Sequence, residues 1–142
     1  MIYWSYRFLK RSLIFIMEEN YLCTEKNKNE KPPFKDCYVY NLKIPVNESE
    51  DIHNQMISQL IGRSGNYFKY LTKDCQLRYI WCNKETKIID LWGKETNIPR
   101  AVKRVEYKIY SVLRKMYYQD NQQLKPETIQ WMEDYTQNFQ KF

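Results

Sequence analysis

The chain has 142 residues, 43% of them hydrophobic, and 23 Lys plus Arg against 17 Asp plus Glu give it a formal charge of +6. That is enough for one packed domain with flanking segments and too little for two ordinary ones. No run approaches the ~20 apolar residues of a bilayer span, and the positive charge suits a polyanionic partner without specifying one.

Residues 1–17 carry Arg7, Lys10 and Arg11 and no acid, while Ile2, Tyr6, Leu9, Leu13 and Ile16 recur at helical spacing. The segment reads as a basic amphipathic helix or a flexible extension. A membrane-surface helix and an organelle-targeting presequence are the sharper alternatives. The apolar run 13–17 is short and no small-residue cleavage site follows it, which argues against a secretory signal. Residues 18–36 turn polar and charge-balanced around Pro32-Pro33, the composition of a linker.

Over 37–45, Tyr38, Val39, Tyr40, Leu42 and Ile44 suit a strand that Pro45 stops. Ser49 is the expected N-cap of a first helix, with Glu50 and Asp51 where the helix dipole favours acids. Ile52, Met56, Ile57, Leu60 and Ile61 form its apolar stripe, and Gly62 ends it. A second helix restarts near Asn66 with Phe68 and Leu71 inward. Leu77, Tyr79 and Trp81 then alternate with Arg78, Ile80 and Cys82, the period-two mark of a strand. After a polar connection over 83–86, Ile88, Ile89 and Leu91 supply the next strand, which ends at Trp92-Gly93.

A long helix follows, capped near Thr96 or Asn97, with Pro99 in its first turn. Its stripe is Ile98, Ala101, Val102, Val105, Ile109, Val112, Leu113 and Met116. Its other side carries Arg100, Lys103, Arg104, Lys108, Arg114 and Lys115 against one acid, Glu106. That side reads as a solvated face, with a second phosphate-contacting or protein-docking surface as the alternative. A last amphipathic helix opens at Pro126 and spaces Ile129, Met132, Tyr135 and Phe139.

Cys23, Cys37, Cys75 and Cys82 form no CxxC pair and His53 is the only histidine, so a zinc site lacks converging ligands. Reduced structural thiols are expected. No metal or cofactor is anticipated. A lone His53 without paired carboxylates or a Cys–His spacing points away from an enzyme.

Two of the three glycines, Gly62 and Gly65, sit three apart between two helices. Glycine there lets the chain turn sharply and lets a ligand approach the main chain. Helix-start N–H groups, Arg63 and Lys69 would favour phosphate at the same place. A tight helix–helix turn with incidental basic residues is the competing reading.

The run Ile61-Gly62-Arg63-Ser64-Gly65-Asn66-Tyr67-Phe68-Lys69 resembles the signature of the KH domain: an aliphatic residue, GxxG, a hydrophobic residue three positions on and a basic one after it. The resemblance continues ungapped through Leu71 and into Leu77-Arg78-Tyr79-Ile80-Trp81, then to Gly93 and the closing helix, covering about residues 38–116. It implies an α+β, type I KH fold (β-α-α-β-β-α), a three-stranded antiparallel sheet packed against three helices, here with an extra C-terminal helix. The implied division is an extension at 1–17, a linker at 18–36, the KH domain at 37–117 and a helical extension at 118–142.

The resemblance also implies binding of single-stranded RNA, with single-stranded DNA second, as about four nucleotides clamped by the GxxG loop. Gly62, Arg63, Ser64 and Gly65 would hold phosphates, next to Asn66 at the start of the second helix. Leu60, Ile61, Phe68 and Leu71 fall where the family lines or supports the groove. Arg78 falls where a basic side chain reaches a base edge, Tyr79 and Ile80 lie on the strand whose backbone pairs with a base, and Lys69 and Lys73 extend the positive rim.

The chain departs from the family in two ways. The stretch before GxxG is longer, and Tyr67, Phe68, Tyr70, Tyr79 and Trp81 make an ordinarily aliphatic region aromatic; Phe68 and Trp81 are expected in the core. A KH-fold protein-interaction or assembly module with little nucleic-acid binding is the alternative function. A homo-oligomer or a protein partner would then use the terminal helices, and no small-molecule substrate is implied. The expected setting is intracellular and cytoplasmic, or an organelle if the basic N-terminus targets one.

Overall fold

One strand of this chain pairs out of sequence order, the first strand of the main sheet lying beside the last. The computed structural model describes residues 14–16, 18–19 and 38–140. Two short strands, β1 (Ile14–Ile16) and β2 (Glu18–Glu19), pair with each other antiparallel. Ile14–Ile16, which spacing assigns to a helix over 1–17, is therefore strand, while 1–13 and 20–37 lie outside the described residues. Of the linker read at 18–36, Glu18–Glu19 is strand, and the rest, with Cys23 and Pro32-Pro33, falls in that undescribed part, as does Cys37. Among the described residues no helix is long and apolar enough to cross a membrane.

The main sheet contains β3 (Tyr38–Lys43), β4 (Leu77–Asn83) and β5 (Ile88–Gly93), all antiparallel, with β5 in the centre between β3 and β4. Between β3 and β4 the chain runs through α1 (Glu50–Ile61) and α2 (Asn66–Asp74). After β5 come α3 (Ile98–Tyr118) and α4 (Pro126–Gln140). The protein is α+β: three helices against a three-stranded antiparallel sheet, plus a C-terminal helix.

Local chemistry explains most boundaries. The Ser49 hydroxyl accepts the Ile52 N–H at 3.4 Å, and Glu50 and Asp51 fill the first turn of α1. Gly62 is the C-cap of α1. In the β4–β5 turn the Asn83 side-chain oxygen accepts the Glu85 and Thr86 N–H groups, and Lys87 takes a left-handed φ of 60°. α3 buries Ile98, Ala101, Val105, Ile109, Val112, Leu113 and Met116, the i, i+3/i+4 ladder its stripe demands.

The alternation in β4 is broken. Leu77 stands opposite Gly93 and Tyr79 opposite Trp92, so Arg78 is the extra residue of a bulge. The bulge moves the phase by one residue. Leu77, Ile80 and Cys82 face the helices with Ile89 and Leu91, all in the core. Tyr79 and Trp81 turn to the other face, in cross-strand rows with Trp92 and Asp90. Phe68 is a core residue at 2% exposure, but Trp81 is half-buried on the outer face and not in the core.

Cys75 and Cys82 are free, buried thiols, and burial pushes Cys82 up to about 12.

His53 is 1% exposed, and neither ring nitrogen has a hydrogen-bond partner among the described residues. Burial, with a smaller push from Lys87 that Glu50 opposes, holds its pKa below the ordinary value. The unfolded chain therefore gains a proton as pH falls through about 6.5 while the folded chain resists it. Stability is full above that pH and declines below it. The urea midpoint of the wild type should fall between pH 7.5 and 5.5, whereas His53→Leu should flatten that step; equal slopes in both proteins would refute the assignment.

Candidate functional site

The turn between α1 and α2 is built from left-handed backbone. Gly62 has φ 87° and ψ 167°, Ser64 φ 55° and Gly65 φ 73°. The Gly65 N–H donates to the Gly62 carbonyl at 3.1 Å, and the Asn66 N–H donates to the Arg63 carbonyl. These two amides are spent inside the turn. What the turn presents outward is Arg63 and Ser64, both exposed, at the head of a helix with no side-chain cap and no acid in its first turn. Unopposed helix-start dipoles and an arginine favour an anion there.

The residues placed at the site by sequence divide into two groups. Arg63, Ser64, Asn66, Lys73 and Arg78 are exposed, and Ile61, Gly62 and Lys69 are partly so. Leu60 (0% exposed), Phe68 (2%), Tyr79 (5%) and Ile80 (0%) are buried, as is Gly65 within the turn. Leu60 and Phe68 belong to the core beneath the turn, the supporting one of the two places expected of them, and the bulge directs the Ile80 side chain inward. What is expected of Tyr79 and Ile80 is their strand backbone, which side-chain burial does not test. Arg78, the bulged residue, is exposed.

Tyr67, one of the aromatics noted beside the turn, acquires a partner that the sequence does not indicate. A Cβ on Gly62 would lie 2.9 Å from the Tyr67 amide nitrogen, so the turn packs directly on the first turn of α2. The Lys108 Nζ of α3 lies 4.7 Å from the Tyr67 ring centroid, a cation–π contact. Nothing local in sequence links positions 67 and 108; only the stripe of α3, read as a rotation about its axis, would have placed Lys108 near α2.

The basic side of α3 is partly occupied. Arg104 donates to the Asp74 carboxylate at 2.5 Å and Arg100 reaches the same oxygen at 3.2 Å. Arg104 also donates to the Tyr70 hydroxyl at 3.3 Å and stands over that ring. The bond from Arg104 holds the Asp74 carboxyl below its usual range. This cluster fastens the end of α2 to α3. Lys108, Arg114 and Lys115 lie further along the helix.

Among the described residues no group of three or more His, Cys, Asp or Glu is placed to hold a metal ion. Compared with protein-family models, with curated proteins and with solved structures, the chain gives no match.

Proposed function

We infer that residues 37–117 form a type I KH domain that binds single-stranded RNA, or less tightly single-stranded DNA, without catalysis. The observation that carries this reading is the turn Gly62-Arg63-Ser64-Gly65, whose left-handed backbone exposes Arg63 and Ser64 at an uncapped helix start. The element order β-α-α-β-β-α with the last strand central supports the fold assignment. Arg63 and Ser64 clamp phosphate, with Asn66, Lys69 and Lys73 along the same helix, and Arg78 faces the bases from the bulge. Leu60, Phe68 and Ile80 act from beneath, holding α1, α2 and β4 at fixed distance.

Few phosphates are neutralised by one such turn, so binding is weak and falls with salt. Short RNA and DNA oligonucleotides titrated at low salt should bind the wild type. An Arg63→Asp, Ser64→Asp double variant with an unchanged thermal midpoint should lose at least about tenfold in affinity, ~1.4 kcal/mol. Absence of binding by the wild type, or equal binding by the variant, sinks the clamp.

The burial of Leu60, Phe68, Tyr79 and Ile80 favours a second reading. With those side chains in the interior, the domain would serve as a protein-interaction or assembly module, and the same titration would then show no nucleic-acid binding.

A further inference from the structure

An open groove of about 700 Å³ lies between α1 and the second half of α3, walled by Gln59, Tyr107, Lys108, Arg114, Lys115 and Tyr118. That size is within the range of small-ligand sites. Among the described residues its wall has one aliphatic side chain, Val112, which is 4% exposed. A groove without an apolar floor is a poor seat for an amphipathic helix, whose affinity comes from buried aliphatic anchors.

What the groove offers is cations beside exposed ring faces. Tyr107 is 48% and Tyr118 65% exposed. The Arg114 guanidinium stands 5.2 Å from the Tyr118 ring centroid and donates to the Tyr110 hydroxyl at 3.2 Å, so it is held in position between two tyrosines. Among the described residues Lys115 pairs loosely with the exposed Asp120 at 3.8 Å, a pair that a phosphate can displace. Aromatic faces next to Arg and Lys are the means by which single-stranded nucleic acid is held without base readout.

The groove is linked to the turn through one side chain. Lys108 lines it and also stands over Tyr67, whose amide packs on Gly62. From Lys108 to Arg114 is a further ~9 Å along α3 at 1.5 Å per residue. We propose that this α1–α3 groove is a second nucleotide site, taking a base and phosphate of the same single strand beyond the stretch clamped at Arg63 and Ser64. Tyr118 stacks the base, Arg114 and Lys115 hold the phosphate, and Lys108 bridges the two sites. The proposal rests on the nucleic-acid reading of the turn and extends it to a longer strand.

The test uses the full chain with a tetranucleotide and an octanucleotide of uridine at low salt, read by fluorescence anisotropy. The octanucleotide should bind the wild type about five- to tenfold tighter than the tetranucleotide. An Arg114→Glu, Tyr118→Ala variant should lose that difference while binding the tetranucleotide as the wild type does. Tyr118→Trp, which keeps a stacking face, should retain it.

Equal affinity for the two lengths, or a groove variant that weakens both alike, overturns the groove site and leaves the clamp standing. Conversely, an Arg63→Asp, Ser64→Asp variant that binds the octanucleotide as tightly as the wild type and in a Tyr118-dependent way supports the groove and overturns the clamp. A groove that takes a glutamate-rich peptide and no RNA overturns the nucleotide site in favour of a protein partner.

Discussion

Replacing Gly62 by alanine is expected to lower the stability of the domain by about 2–5 kcal/mol, adding backbone strain to overpacking. Gly62 sits at φ 87° and ψ 167°, a region that residues with a Cβ essentially do not enter. The added Cβ would also lie 2.9 Å from the Tyr67 amide nitrogen and 3.1 Å from its Cβ. Neither atom is the loose end of a side chain, since both belong to the first turn of α2. Relief would require α2 to move away from α1, and Leu60, Phe68 and Leu71 are buried between them.

Urea unfolding followed by circular dichroism reads this directly. Ser64→Gly is the control. Ser64 already holds a left-handed φ of 55°, so glycine removes strain while adding freedom to the unfolded chain, and the midpoint should move little. A Gly62→Ala protein as stable as the wild type would show that the turn does not have this backbone.

Removing the Glu48 carboxylate should release α4. Glu48 is 5% exposed, and one of its oxygens accepts the Lys125 N–H at 2.8 Å and the buried Thr128 hydroxyl. The carboxylate thus stands at the start of α4, where it satisfies two donors and meets the positive end of the helix dipole. Glu48→Ala leaves both donors without that acceptor, a loss of about 1–3 kcal/mol each. The expected total is ~3 kcal/mol, concentrated in α4.

Hydrogen exchange distinguishes this from general destabilisation. In Glu48→Ala the amides over 127–138 should lose protection while those of β4 and β5 keep theirs. Glu48→Gln, which retains an acceptor, should fall between. Protection of α4 unchanged in Glu48→Ala would mean that the packing of Leu124 and Met132 suffices to hold the helix.

Much of this architecture is legible in the sequence, and for identifiable reasons. Ser49 with Glu50 and Asp51, the stripe from Ile98 to Met116, and Pro126 before an amphipathic run are short-range signals. They depend on residues three or four apart, and the structure places helices there. The turn at Gly62 and Gly65 is equally local: two glycines between apolar helical stripes announce a reversal, and both adopt positive φ.

The candidate site was less legible. Period-two alternation put Leu77, Tyr79 and Trp81 on one face, but the bulge at Arg78 splits them and sends Ile80 and Cys82 inward. A bulge is settled by which register best fills the core against Ile89 and Leu91, and no window along β4 contains that information. Glu48 reads as an ordinary loop acid until α4 arrives over it from a position 80 residues further along the chain, at Thr128.

The same holds for the basic side of α3. By composition Arg100, Arg104, Lys108, Arg114 and Lys115 are alike, yet Asp74 engages the first two, Tyr67 sits under Lys108, and Tyr118 sits under Arg114. The sequence by itself determined the order and type of the helices and strands of residues 38–140 and where most of them begin, because caps, glycines and apolar periodicity act within one or two helical turns. The tertiary structure alone decided which side chains of those elements are core, which are fastened and which stand open around the groove. Burial and charge pairing there are contests between residues far apart in the chain, and only the packed arrangement ranks them.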